Sequence, residues 1–157
     1  MVNYYLNKKM DAMQLSELRK FVGWNTMESS LNNPKLQCFL SVSAYEGDRL
    51  VGYVEVVSNG VTDAYIQDLM VHPEMQNQGF GTQMMSMVIK EIRERNIYML
   101  SVIYGEEKLK EYYERFGFFS MLCGQMQLRD EEWRDILLKI SISRKEVRKW
   151  LNGYFLT

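Results

Sequence analysis

The residues with the clearest chemical use form a short loop, Gln76-Asn77-Gln78-Gly79-Phe80-Gly81-Thr82, between a strand and a long helix. Glycine lets a backbone approach a ligand closely, and the first turn of a helix presents unpaired N–H groups with a partial positive charge. Together these features bind phosphate or pyrophosphate. Two glycines also suit a tight strand-to-helix turn without a ligand, so the loop alone leaves both interpretations open.

Two common nucleotide-binding loops do not match this glycine loop (residues 76–82). A dinucleotide-binding loop needs a third glycine, and the position three residues after Gly81 is Met84. A phosphate loop of the nucleotide-hydrolase type needs Gly-Lys-Ser or Gly-Lys-Thr, and no lysine follows these glycines. The phosphate group, if bound, therefore belongs to another kind of ligand.

The composition is that of one globular domain without a strong charge. Of 157 residues, 46% are hydrophobic and 25% are charged, which is not typical of disordered chains. The formal net charge of -1 gives no attraction for nucleic acid or an anionic membrane, so we expect neither as a partner. With two cysteines, one histidine and no apolar leader, we expect no metal site and a cytoplasmic location.

The elements that must position the loop follow from the hydrophobic periodicity. Strands are predicted at 4–6, 39–44, 50–57, 64–71, 99–104 and 119–128, with 99–104 buried and central, and helices at 12–22, 82–95 and 106–116. The Asn59-Gly60 turn makes the early strands antiparallel, and the later alternation of strand and helix makes the sheet mixed. We therefore predict an α/β (α+β) fold, with a mixed, mostly antiparallel central sheet flanked by helices.

The domain prediction has two parts. Residues 1–129 form the main domain, and residues 130–157 form a helical extension packed on the same domain. In that extension Trp133 and Trp150 could cover a cleft or form a dimer seam, which leaves a homodimer open.

Two motifs in order resemble a known family. The glycine loop, following Asp68-Leu69-Met70-Val71-His72-Pro73, resembles the coenzyme-A loop of the GNAT acetyltransferase superfamily. Downstream, Tyr112-Tyr113-Glu114-Arg115-Phe116-Gly117-Phe118 resembles the end of that family's fourth helix. The resemblance covers about residues 38–128. It implies a GNAT-like fold with added C-terminal helices, and an N-acetyltransferase that passes the acetyl group of acetyl-CoA directly to a primary amine.

The resemblance also implies roles for individual residues. Backbone groups of Leu69, Met70 and Val71 would bind the pantetheine arm, and Tyr113 would be the general acid that protonates the departing thiolate. The pyrophosphate would be bound by the glycine loop, which comprises Gln76, Asn77, Gln78, Gly79, Phe80, Gly81 and Thr82. The acceptor would be a small-molecule or peptide amine, in a pocket for which Trp24, Glu28, Tyr53 and Tyr65 are candidates.

The sequence departs from the family pattern at the residue expected to act as the general base. Several family members have a glutamate on the fourth strand where this chain has Tyr65. The nearest carboxylates are Asp63 and Asp68, of which Asp68 is the candidate base. Asp68 could instead be a structural acceptor for loop N–H groups. At the end of the fifth strand, Tyr104-Gly105-Glu106 stands where many relatives have an asparagine that binds the cofactor. Two alternatives therefore stay open: a catalytically weak or inactive acyl-CoA-binding sensor, and an unrelated phosphate-binding protein.

Overall fold

The computed structural model describes residues 1–126, and the helices and strands of these residues all lie in a compact unit, Met1–Met121. The strands are β1 (Val2–Leu6), β2 (Leu40–Glu46), β3 (Arg49–Ser58), β4 (Asp63–Val71) and β5 (Met99–Val102). The helices are α1 (Ala12–Phe21), α2 (Glu28–Leu31), α3 (Phe80–Glu94) and α4 (Lys110–Glu114), with short 3₁₀ turns at Pro73–Met75 and Glu107–Leu109.

The strands form one sheet in the order β1-β2-β3-β4-β5. The first four are antiparallel, since β2 to β4 are joined by short turns, whereas β4 and β5 are parallel because α3 crosses between them. The predicted mixed, mostly antiparallel sheet with flanking helices is thereby confirmed. The 4–6 strand and the 82–95 helix are confirmed as β1 and α3.

Two apolar clusters cover the two faces of the sheet. Helix α3 places Met84, Met85, Val88 and Ile92 against buried residues of β2, β3 and β4. Helix α1 places Leu15 and Leu18 against the other face, where the buried residues include Tyr45, Tyr53 and Met70. The apolar face of each helix thus fixes its position relative to the strand ends that form the site.

Gly52 sets how closely α3 approaches the sheet. A Cβ atom on Gly52 would lie 2.8 Å from Met84 Cε and 3.2 Å from Ala44 Cβ. Both distances are shorter than a normal carbon–carbon contact. The absence of a side chain at this position therefore allows the helix to lie where it does.

Three sequence predictions in the second half of the unit were wrong in detail. The strand predicted at 99–104 ends at Val102 and is the last strand of the described sheet, with its apolar side chains only partly buried beside the core. The helix predicted at 106–116 is a 3₁₀ turn followed by the short α4, because Glu106 is extended and Gly117, at φ +92°, ends the helical turn. Residues 119–126 form no strand, since no described strand pairs with them.

The remaining predictions concern residues beyond this range. The end of the last predicted strand and the helical extension at 130–157 lie outside the described residues. Within residues 1–126, no helix is long and apolar enough to cross a membrane.

Candidate active site

The candidate site is built around a gap between β4 and β5. The two strands pair only from Asp63 opposite Met99 to Ile66 opposite Val102, whereas β4 continues to Val71. Over 67–71 the backbone of β4 has no strand partner on its β5 side within the described residues. Such an edge offers amide and carbonyl groups to an extended ligand.

A cavity of about 610 Å³ occupies this gap, and we call it the gap cavity. One side of the gap cavity is lined by residues 65–69 of β4. Another side is lined by residues 102–106, which are the last residue of β5 and the four residues after it. Tyr113 of α4 lines a further side, and Trp24, Met27 and Leu31 line the side towards α2. The gap cavity therefore brings the unpaired edge of β4 next to the predicted general acid.

Asp68 lies at an irregularity of β4. Its φ is +52°, a left-handed conformation that aspartate adopts more readily than most residues. The register passes from Tyr53 opposite Met70 to Glu55 opposite Gln67, so β4 has one more residue than β3 over this stretch. This is a β-bulge, and beyond it β4 pairs again with β3 but not with β5.

A buried ion pair holds this bulge. Arg19 of α1 is 6% exposed, and its Nη1 donates to Asp68 Oδ2. Its Nε and Nη2 donate to the backbone and side-chain oxygens of Asn25, each at 2.8 Å. Asp68 therefore contacts a guanidinium group, and protonation of its carboxylate would break the ion pair.

The glycine loop leads directly into α3. Gly79 is the residue before the helix at φ +87°, and the first intrahelical bond runs from Gln83 N–H to the Gly79 carbonyl at 2.9 Å. The preceding N–H groups of the first turn have no intrahelical acceptor and point away from the helix. They form the donor set that an anion at this helix end requires.

The space around the two glycines differs. A Cβ atom on Gly79 would meet nothing within 4 Å, whereas one on Gly81 would lie 3.3 Å from Tyr112 Oη and 3.4 Å from Val71 Cγ2. Gly79 is thus required for its backbone conformation, and Gly81 for a close approach of β4, α3 and α4. These residues fit the pyrophosphate of coenzyme A, which needs amide donors and a backbone without side chains around it.

The two glutamines of the loop hydrogen bond to the main chain before it. Gln76 Nε2 donates to the Val71 carbonyl at 3.0 Å, and Gln78 Nε2 donates to the Glu74 carbonyl at 2.9 Å. Gln76 therefore holds the loop against the end of β4, and Gln78 holds it against the 3₁₀ turn Pro73–Met75. The role predicted for Gln76 beside the pyrophosphate stays a prediction.

Tyr113 is buried, and its ring stacks on that of Tyr104 at a centroid distance of 5.1 Å. Burial raises the pKa of Tyr113 to about 12, and the neighbouring phenols of Tyr112, Tyr65 and Tyr104 add to the increase. The phenol therefore carries its proton at neutral pH. It lines the gap cavity, and its role as the general acid stays a prediction.

Glu55 is a residue that the sequence analysis missed. It lines the gap cavity, and Tyr53 Oη donates to its Oε2 at 3.0 Å. Burial raises the pKa of Glu55, and the hydrogen bond from Tyr53 partly opposes that increase. A signal was present, because Glu55 is the single charged residue in the apolar run 50–57. Arg19, likewise missed, follows Leu15 by one helical turn on the buried side of α1.

The candidates for the acceptor pocket divide between two cavities. Trp24 and Tyr65 line the gap cavity, whereas Tyr53 lines a second cavity of about 380 Å³, which we call the side cavity. Glu28 lines neither of these two. Leu31, Leu36 and Glu55 line both, so the two cavities meet there.

Solved structures show the class to which this fold belongs. A protein of unknown function from meticillin-resistant Staphylococcus aureus, SA2161, described as a probable acetyltransferase, superposes with a TM-score of 0.69 at 24% identity. The match covers 83% of this chain and 100% of that one. The arrangement of sheet and helices is thus an acetyltransferase fold.

The sequence gives the family. The profile of the Acetyltransferase (GNAT) family matches residues 7–118, and the chain belongs to this family. The uncharacterized N-acetyltransferase ycf52 of Gracilaria tenuistipitata var. liui is 25% identical over 126 residues, which are 76% of this chain and 69% of that protein. GCN5-related N-acetyltransferase 2, chloroplastic, of Arabidopsis thaliana is 27% identical over 70 residues, which are 45% of this chain and 27% of that protein.

The protein is therefore an acyl-CoA-dependent N-acetyltransferase. The predicted resemblance to the GNAT superfamily is confirmed, and an unrelated phosphate-binding protein is no longer a suitable interpretation. In residues 1–126, no group of three or more His, Cys, Asp or Glu side chains could hold a metal ion.

Proposed function

We propose that the protein transfers the acetyl group of acetyl-CoA directly to a primary amine while both substrates are bound. The observation that carries this proposal is the gap between β4 and β5, which has the front of α3 at one end and the phenol of Tyr113 in its wall. Acetyl-CoA supplies an acetyl thioester. The protein's residues bind it, orient it and move protons.

The binding roles follow from the main chain. The N–H groups of the glycine loop and of the first turn of α3 bind the pyrophosphate, as neutral donors already fixed by the fold. Backbone groups of Leu69, Met70 and Val71 bind the pantetheine arm along the unpaired edge of β4. The same amides suit the negative charge that develops on the thioester oxygen during attack.

Tyr113 acts as the general acid. Its pKa of about 12 is higher than that of an ordinary thiol in water, so a proton transfer to a solvated thiolate would be unfavourable. Burial that raises the pKa of a phenol also raises that of a thiol in the same cavity, because both anions lose hydration. Tyr113 can therefore protonate a sulfur that leaves within the gap cavity.

The acceptor is a small-molecule or peptide amine. The aromatic rings of Trp24 and Tyr65 in the gap cavity suit an amine with an apolar or cationic body. A homodimer and a cytoplasmic location are further proposals, and the chloroplastic relative makes a plastid the alternative compartment.

Thiol release tests the proposed function. The purified chain is incubated with acetyl-CoA and, in separate reactions, with tyramine, spermidine or a peptide that has an N-terminal alanine. Free thiol and acetylated amine are both measured. We expect amine-dependent thiol release with equal amounts of both products. Binding of acetyl-CoA without thiol release for any of these amines would contradict the proposed direct transfer to an amine of this kind.

A further inference from the structure

Glu55 is a buried carboxylate that the roles given above do not use. It lies on β3, and its Cα is opposite that of Gln67 on β4, just before the bulge. Its side chain lines both the gap cavity and the side cavity. The other two residues shared by these cavities are Leu31 and Leu36, so Glu55 is the shared residue that can accept a proton.

The surroundings of Glu55 make its carboxylate a better proton acceptor than a solvated one. Burial raises its pKa, and the charge of Asp68 raises it further, whereas the Tyr53 hydrogen bond and the Arg19 charge lower it. Burial, followed by the charge of Glu55, raises the pKa of the nearby Cys38 thiol, which stays neutral. A base with a pKa nearer to neutral accepts a proton more effectively at that pH.

We propose, on the basis of the acetyl transfer described above, that Glu55 is the base that deprotonates the acceptor's ammonium group where the two cavities meet. The free amine then forms a bond to the acetyl carbon, and the bond between that carbon and sulfur breaks. Tyr113 gives its proton to the sulfur. Of the two protons that the nitrogen loses, one passes through Glu55 to solvent and the other restores Tyr113.

The contacts of Asp68 make it the weaker choice. Its Oδ2 accepts from Arg19, which is itself buried and bonded to Asn25. Glu55 Oε2, by contrast, accepts from the neutral phenol of Tyr53. Protonation of Glu55 therefore leaves no buried cation without its partner, whereas protonation of Asp68 does.

Tyr53 is a positioning residue in this scheme. It is 2% exposed, and burial followed by the nearby charge of Glu55 raises its pKa, so its hydroxyl stays protonated and donates to Glu55. That hydrogen bond fixes the carboxylate and favours its ionised form. Removal of the hydroxyl should raise the pKa of Glu55.

The test compares Glu55→Gln with Glu17→Gln, an identical change at an exposed position of α1. With tyramine, or whichever amine of the panel reacts best, we expect Glu55→Gln to lower kcat/KM by about 10²–10⁴-fold. We expect the calorimetric affinity for acetyl-CoA to stay unchanged. Glu17→Gln should change neither.

A stability measurement gives a readout independent of activity. The pKa of Glu55 is higher in the folded protein than in the unfolded chain, so ionisation of Glu55 is less favourable in the folded state. The folded state therefore loses stability as the pH rises from the unfolded pKa through the folded pKa. Glu55→Gln should therefore have a higher melting temperature than the wild type at pH 8, with the difference vanishing near pH 4. A carboxylate with a purely structural role would give a lower melting temperature.

Tyr53→Phe gives the matching pH readout. It should move the acid limb of kcat/KM to higher pH, whereas Tyr98→Phe, at an exposed position, should leave the limb in place. Full kcat/KM in Glu55→Gln, or a loss confined to Asp68→Asn, would overturn the role of Glu55 while acetyl transfer stands. A wild type that neither binds acetyl-CoA nor releases thiol would overturn both proposals.

Discussion

The ion pair between Arg19 and Asp68 can be tested by Asp68→Asn. Asparagine tolerates the left-handed conformation of this residue, so the substitution removes the charge and leaves the backbone preference in place. The Arg19 guanidinium then stays buried without its anion. Loss of this pair should loosen both the end of α1 and the bulge that shapes the gap.

The magnitude follows from the burial of the two side chains. Breaking a fully buried pair by removing one partner costs roughly 3–5 kcal/mol. The side chain of Arg19 is 7% exposed and that of Asp68 is 26% exposed, so Asp68 retains part of its hydration. We therefore expect Asp68→Asn to lower the free energy of unfolding by about 2–4 kcal/mol. Asp68→Ala should lose about 1 kcal/mol more, because alanine is strained at positive φ.

Urea unfolding of four proteins measures the pair directly. The wild type, Arg19→Met, Asp68→Asn and the double variant form a cycle, and an unchanged dependence on urea shows that the unfolding reaction is the same. We expect the free energy of unfolding of the double variant to fall by clearly less than the sum of the decreases in the two single variants. Additive losses, or an Asp68→Asn loss no larger than that of Glu17→Gln, would refute the role given to this pair.

Two further predictions concern the acid and the core. Tyr113→Phe should lower kcat by about 10²–10⁴-fold with acetyl-CoA affinity retained, and an unchanged kcat would exclude the acid role. Because the pKa of Tyr113 is raised to about 12, the pH profile of the wild-type rate should show no alkaline limb from Tyr113 between pH 6 and 9. Gly52→Ala should lower the free energy of unfolding by about 1–3 kcal/mol, because its Cβ would lie 2.8 Å from Met84 Cε; a urea midpoint equal to that of the wild type would show that α3 moves away at no cost.

Local patterns in the sequence predicted the parts of the fold that depend on neighbours along the chain. The Asn59-Gly60 turn and the apolar-rich runs on both sides of it predicted β3 and β4, and the apolar spacing after Thr82 predicted α3. Predictions failed where the structure of a segment depends on pairing with a strand that is distant in the sequence. An apolar run at 119–126 becomes a strand only beside another strand, and no such partner is visible in the sequence.

The candidate site divides in the same way. The glycine loop and Tyr113 lie in short motifs, so the sequence indicated them. The structure places Tyr113 in the wall of the gap cavity, and the glycine loop at the front of α3, where Gly81 lies close to Val71 at the end of β4. Arg19 and Asp68 are 49 residues apart, and their contact depends on how α1 packs on the sheet. Glu55 could be noticed as a lone charge in a strand, but its position between two cavities depends on α2 and the residues after it.

The most direct test of the central claim is calorimetric titration of coenzyme A into Gly81→Ala, with Gly47→Ala as the control. The added methyl group at position 81 would lie 3.3 Å from Tyr112 Oη and 3.4 Å from Val71 Cγ2, so the backbone amides of the glycine loop would have to shift to make room for it. Gly47 lies in the turn between β2 and β3, where an added methyl group meets no other atom within 4 Å. Losing one hydrogen bond to a charged group costs roughly 1.5–3 kcal/mol. If the shift breaks one such bond to the pyrophosphate, Gly81→Ala should weaken coenzyme A binding by about tenfold or more, with Gly47→Ala binding like the wild type. Equal affinity in all three proteins, or no binding heat in the wild type, would contradict the claim that these backbone amides bind the pyrophosphate.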